Sequence, residues 1–295
     1  MPKNLGALER KADPRDIMLG SVQAPVSLPS AFIPDISWLQ RNYQGQTAFC
    51  GEHAGTHFKA VLDFVNLSGN PIERKSPRYG VIKLKDPKSS LYDGYAIDAG
   101  TTMDAVFKWL EKAGAADFEP LGDDITLPMS VYCDPSVVTP AIDANAAQSL
   151  IKAYAYSATD FESLCQAIYQ NKAVMLLIKC DDGFWGTSTP TFTTPEDGHF
   201  ICAYGFDSDS IYAIDSADPN DAFALKRIAK QYITPEFFFE AGTAIDLPPV
   251  VKTALTNGQP VPASVTQALT AGQVTLAQQI LNDIEAALTL IKQEL

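Results

Sequence analysis

The segment NYQGQTAFCGEHAG, residues 42–55, holds a cysteine at the point where a loop becomes a helix. From Ala48 onward the apolar residues Ala54, Phe58, Val61, Leu62 and Val65 recur at helical spacing, and Gly69 followed by Pro71 ends the pattern. Cys50 is therefore expected in the first turn of an α-helix. There the aligned peptide dipoles place partial positive charge beside the sulfur, which favours the thiolate. A nearby imidazole would add to that charge and take the proton.

The chain has three histidines, His53, His57 and His199. His199 follows Gly198 in EDGHFICAYGFDSDSIYAIDSAD (196–218), where two β-rich runs flank an Asp/Ser turn. That is a hairpin signature, and it puts His199 at the opening of a strand, where a fixed backbone aims an imidazole into a cleft. His53 and His57 lie four apart on one helical face, a spacing that suits zinc. A metal site needs three or four ligands, however, and Glu52 and Asp63 project elsewhere, so structural or surface histidines and no metal are expected.

Working outward, residues 1–43 carry Pro2, Pro14, Pro25, Pro29 and Pro34, which exclude a long helix and leave an irregular strap across the body. Residues 72–100 read as a charged, loop-rich stretch. TTMDAVFKWLEKAG (101–114) offers a Thr cap, Met103, Val106, Phe107 and Leu110 on one face, and Gly114 as the stop. Residues 160–170 form a further helical pattern capped by Thr159 or Asp160, leading into the apolar strand AVMLLIKC (173–180). FALKRIAKQYIT (223–234) and FFFEAGTAIDL (237–247) read as later strands. Helices first and antiparallel strands second indicate an α+β domain with segregated halves. Beyond Pro248-Pro249 the aromatic residues stop, yet Leu276, Ile280, Ile284, Leu288, Ile291 and Leu295 form an apolar stripe behind Thr275. The expected organisation is a strap (1–43), a main domain (44–247) and a C-terminal helical appendage (248–295) that docks on the core or on a second copy as a homo-oligomer.

Composition narrows the function. With 22 Lys+Arg against 35 Asp+Glu the net charge is −13, so the surface repels phosphate, and no basic patch offsets it: nucleic acid and anionic membrane are not expected partners. No apolar run approaches the roughly 20 residues of a membrane span. MPKNLGALERKADPRD lacks the apolar core of a secretory signal, so a cytoplasmic or virion-associated location is expected. Five unevenly spaced cysteines without a Cys-x-x-Cys pair argue against a disulfide framework, and Cys165, Cys180 and Cys202 sit in apolar runs as small buried hydrophobes.

The two segments 42–55 and 196–218 resemble the active-site segments of papain-like cysteine peptidases, in the order Cys then His. The resemblance extends over roughly residues 12–247 and is greatest to bacterial and phage-type members without a long propeptide. It implies a two-subdomain fold, a helical part carrying Cys50 and a β-rich part carrying His199, with a cleft between. Gln44, in a Gln-Gly pair six positions before Cys50, would donate to the oxyanion together with the backbone N–H of Cys50. His199 would be the base, and Asp215 stands where the family has the Asn that orients it. Gly100, Thr101 and Gly198 would line the substrate cleft. Other departures are Gly51 in place of an aromatic residue, Phe49 in place of a small one, Thr47 in place of a half-cystine, and Ala217 where a Trp shields the imidazole. The expected activity is a thiol hydrolase for peptide bonds, without a cofactor, acting on a peptide or protein substrate. The alternatives are a cell-wall peptide or isopeptide hydrolase, and a catalytically degenerate papain-fold protein used for binding or assembly.

Overall fold

A computed structural model describes residues 6–11, 13, 16–66 and 72–245; the expected C-terminal helix, residues 248–295, lies outside them. In chain order the elements are β1 (Ala7–Leu8), α1 (Cys50–Asn66), α2 (Pro77–Lys85), β2 (Thr101–Thr102), α3 (Met103–Lys112), α4 (Pro140–Ala146) and β3 (Ala153–Ser157). They continue with α5 (Phe161–Asn171), β4 (Val174–Cys180), β5 (Asp197–Phe206), β6 (Ser210–Ile214), β7 (Leu225–Ala229) and β8 (Phe238–Ile245). Short helical turns link them.

Six strands form one antiparallel sheet in the order β3-β8-β4-β5-β6-β7. The run AVMLLIKC is apolar at successive positions because both faces of its strand are covered. Met175 and Leu177 join Phe200, Cys202 and Tyr204 in packing against α1 and α3, through Phe58, Val61, Val106 and Phe107. Val174, Leu176 and Ile178 join Ile201 and Ala203 on the opposite face, against Leu164, Cys165 and Ile168 of α5. Truncating a wholly buried leucine such as Leu177 in such a core costs about 2–5 kcal/mol.

Local signals set the helix ends. Thr102 caps α3 by accepting from the Ala105 N–H, and Asp160 caps α5 by accepting from the Ser163 N–H. Gly114, at φ 79°, follows α3 as expected of a helix stop.

Two expectations need correction. The stretch 72–100 is not simply a loop, since Pro77–Lys85 is helical. Its charges hid it: Arg78 is buried and donates to the carbonyls of Leu121, Val131 and Tyr132, while Lys85 is buried against Asp93 and the Gly100 carbonyl. The halves are also less segregated than the chain order suggests, because β3 precedes α5 and lies at the edge of the same sheet. No helix among the described residues is long and apolar enough to cross a membrane.

Described residues of the N-terminal stretch pair with the body at three points. Ala7–Leu8 pairs in parallel with Thr101–Thr102, Met18 bridges Tyr156, and Phe32 bridges Phe206.

Candidate active site

Strand periodicity assembles one half of the site. In β6 and β7, Ala213 pairs with Lys226 and Ile211 with Ile228. Residues two apart share a face, so Asp215, just past Ile214, follows Ala213 onto the face that Lys226 occupies. His199 shares the parity of Ile201 and Ala203, whose side chains pack on that same face. These groups meet at one end of the sheet, wholly buried.

The geometry there is closely satisfied. His199 Nε2 donates to Asp215 Oδ1 at 2.8 Å. The N–H of Ala217 donates to the same oxygen at 2.8 Å, and that of Asp218 to Oδ2 at 3.1 Å. Lys226 Nζ stands 3.7 Å from Asp215 Oδ2 and 3.2 Å from Asp218 Oδ2, and donates to the carbonyls of Phe184 and Thr187. Burial works against ionising Asp215, but the hydrogen bond and charge of His199, with Lys226 and the Ala217 N–H, hold its carboxyl down at about 2. His199 Nδ1 is buried and has no hydrogen-bond partner.

The shielding ring that sequence reasoning counted as lost is supplied from elsewhere. Trp185 lies edge-on to the imidazole with centroids 5.4 Å apart, and Phe184 at 5.9 Å. Neither was singled out in the sequence, nor was Lys226; for Lys226 the signal was present, as a lysine at an inward position between Ala224 and Ile228.

Cys50 begins α1, as its sequence setting implies, and is wholly buried. Its sulfur lies by the backbone N–H of Phe200, the residue after His199, which brings helix and sheet together at this point. The thiol is not activated as helix position alone would suggest. Burial pushes its pKa up, and Glu52 and Asp215 add to the effect, against the opposing N–H groups of Phe200 and Gly51. Gly51 is glycine for want of space: a Cβ there would come within 2.4 Å of Thr101 Cγ2. Phe49 has its own slot, stacked on Tyr132 at 5.6 Å.

Gln44 joins the two halves. Its Oε1 accepts from Ser216 Oγ at 2.7 Å, its backbone N–H donates to the Ser216 carbonyl at 2.9 Å, and its Nε2 donates to the Thr47 carbonyl at 3.0 Å. The segment bearing Cys50 is thus fastened to the residue following Asp215.

Gly100, Thr101 and Gly198 converge, and the strap lies on all three. The Thr101 N–H donates to the Gly6 carbonyl at 2.8 Å. A Cβ at Gly100 would meet Gly6 O at 1.7 Å, and one at Gly198 would meet Ala7 O at 2.6 Å. Gly6 itself rests on the Ala48 carbonyl, two residues before Cys50. Residues 6–8 therefore run between the start of α1, β2 and β5.

His53 and His57 are buried structural residues. His53 Nε2 is 3.1 Å from Asp123 Oδ2, and His57 Nε2 accepts from the Asn42 N–H at 3.0 Å, its imidazole kept neutral by burial, which lowers its pKa to about 3. Among the described residues no group of three or more His, Cys, Asp or Glu converges as a metal site.

No protein-family profile and no curated protein sequence matches the chain. Solved structures do match. Xylellain, a cysteine protease from Xylella fastidiosa, superposes with a TM-score of 0.68 at 16% identity, covering 83% of this chain and 97% of that one. A procathepsin B from Trypanosoma congolense gives 0.57 at 12% identity, over 82% and 86%. The Carica candamarcensis cysteine protease CMS1MS2, solved in complex with E-64, gives 0.55 at 12% identity, over 74% and 99%. The chain has the papain-like fold.

Proposed function

We propose that this chain, built on the fold of the papain-like cysteine proteases, is a thiol peptidase with Cys50 as nucleophile and His199 as base. The observation that carries the reading is the imidazole: held through Nε2 by an ionised Asp215, it keeps a buried, unpartnered Nδ1 at the end of the sheet where the Cys50 sulfur lies. With Asp215 accepting from Nε2–H, Nδ1 is the basic nitrogen of the neutral ring.

In the reaction, Cys50 Sγ passes its proton to His199 Nδ1 and attacks the amide carbon. The oxyanion takes hydrogen bonds from the Cys50 N–H and from the second Nε2–H of Gln44, whose first is spent on Thr47 O. The imidazolium, stabilised by Asp215, returns the proton to the leaving amine. Water then hydrolyses the thioester with His199 again as base. Asp215 thus does electrostatically what an amide would do by orientation alone.

The strap makes this a covered site. Residues 6–8 occupy the three cleft positions, and Cys50 and His199 are both 0% exposed. Substrate enters after the strap is displaced, and the thiol pKa then falls because the burial that raised it is relieved.

The test is labelling with E-64 and intact-mass spectrometry of the full chain. Gly198→Ala pushes first on Ala7 of the strap, so it is expected to label at Cys50 faster than wild type, and Cys50→Ala not at all. Absence of an adduct on Cys50 even in the Gly198→Ala protein would favour the non-catalytic binding reading.

A further inference from the structure

Beside α1 lies a cavity of about 340 Å³ that the peptidase reading does not use, since neither Cys50 nor His199 lines it. Its apolar walls are Leu39, Ile72 and Trp38, the last stacked on Phe64 with ring centroids 4.1 Å apart. Two basic side chains, His57 and Arg74, line it as well. His57 Nε2 accepts from the Asn42 N–H at 3.0 Å, so the proton of the neutral ring sits on Nδ1. That N–H is buried and has no hydrogen-bond partner among the described residues. Arg74 gives Nε to Asn42 Oδ1 at 2.6 Å and Nη2 to the Arg41 carbonyl at 3.2 Å, which leaves Nη1 for a further acceptor.

Neighbouring polar groups are already paired with one another. Asn42 Nδ2 donates to Thr56 Oγ1 at 3.1 Å and to the Lys75 carbonyl at 2.9 Å, and Lys75 Nζ holds Asp117 at 2.8 Å. A buried donor left unpaired is costly, so an arriving acceptor is favoured. The local charge agrees with that direction. Burial first, then His53, Arg41 and Arg74, push the His57 pKa down, with Asp215 opposing. A field that keeps a second proton off the ring attracts an anion to its N–H.

We propose that this cavity binds a small organic monocarboxylate, which accepts from His57 Nδ1–H and Arg74 while its apolar body lies against Trp38, Leu39 and Ile72. A carboxylate offers two acceptor oxygens and no donor, which matches the groups left over here. Inorganic phosphate fits less well: it has no apolar body, and its second charge faces the exposed Glu73 and Glu119 that also line the cavity. The volume lies within the range of small-molecule sites. The proposal stands whether or not the chain is a peptidase.

The experiment titrates the full chain with benzoate and follows the imidazole nitrogens by NMR, with benzamide and inorganic phosphate as comparisons. Expected is a saturable shift of His57 Nδ1 that exceeds those of His53 and His199. Benzamide and phosphate should each bind about tenfold or more weakly than benzoate, and Arg74→Met should weaken benzoate by a similar factor. Arg74→Gln, which can still donate to Asn42 Oδ1, takes the place of Arg74→Met if that variant does not fold. A His57 signal that never saturates, a larger shift at His199, equal binding of benzamide or phosphate, or an affinity that loss of the Arg74 charge leaves intact overturns the proposal.

Discussion

On the sheet side of the site, the imidazole of His199 has a carboxylate at 2.8 Å, a lysine behind that carboxylate and two aromatic rings alongside. On the helix side, Cys50 is followed by Glu52, wholly buried with neither carboxylate oxygen hydrogen-bonded, and is crossed by a segment of the strap. Both sides are equally buried, so burial alone does not distinguish them. Partners do. The His199 imidazole is fixed by its partners, whereas burial keeps the Cys50 thiol protonated.

The contrast is tested most severely by removing the imidazole. In a strap-loosened reference protein, His199→Ala and Cys50→Ala should each lower kcat/KM by about 10⁴-fold or more. A His199→Ala protein retaining a tenth of the reference rate would mean that the well-built side is not the catalytic one.

Next in size is Lys226→Met. It leaves Asp215 and Asp218 without their buried cation, which should destabilise the fold by about 3–5 kcal/mol in urea titrations. An unchanged midpoint would show that the peptide N–H groups alone suffice for Asp215.

Glu52 probes the helix side. Its pKa in the folded chain, pushed up to about 7 by burial, lies above its ordinary 4.5. Between those values the folded protein holds a proton that the unfolded chain has released, so stability falls as pH rises from about 4.5 to about 7. Wild type should lose about 3 kcal/mol over that interval that Glu52→Gln retains. Parallel stability curves for the two proteins would remove Glu52 from the account.

Asp215 gives the smallest effect, with the opposite sign. Its pKa is depressed to about 2 from 3.8, so its contribution is present above about pH 4 and disappears as pH falls through about 2. That loss, about 2 kcal/mol, should be missing in Asp215→Asn. Acid unfolding curves for the two proteins that coincide in shape would show that His199 and Lys226 do not stabilise the carboxylate.

How much of this was legible beforehand depends on whether the signal is local. Caps such as Thr102 and Asp160, the helical recurrence after Ala48 and the hairpin turn at Asp207–Asp209 are encoded within a few residues, and they read correctly. The helix Pro77–Lys85 did not, because its arginine and lysine are satisfied by distant carbonyls that no periodicity reveals. Trp185 was missed because its place beside His199 depends on how the 181–196 loop folds back. The strap's position in the cleft rests on backbone pairing between residues 7–8 and 101–102, which leaves almost no trace in side-chain type. Arg10 of the strap is likewise a charged residue whose burial only the fold discloses.

The last described strand, β8, does not lie at the edge of the sheet but between β3 and β4. A growing chain therefore presents two unsatisfied strand edges until residues 238–245 have left the ribosome and inserted between them. Gln44 likewise waits for Ser216, 172 positions later, before its side chain is fixed. Synthesis order itself thus delays assembly of the site: no nascent fragment ending before Phe238 has the continuous six-stranded sheet that carries His199.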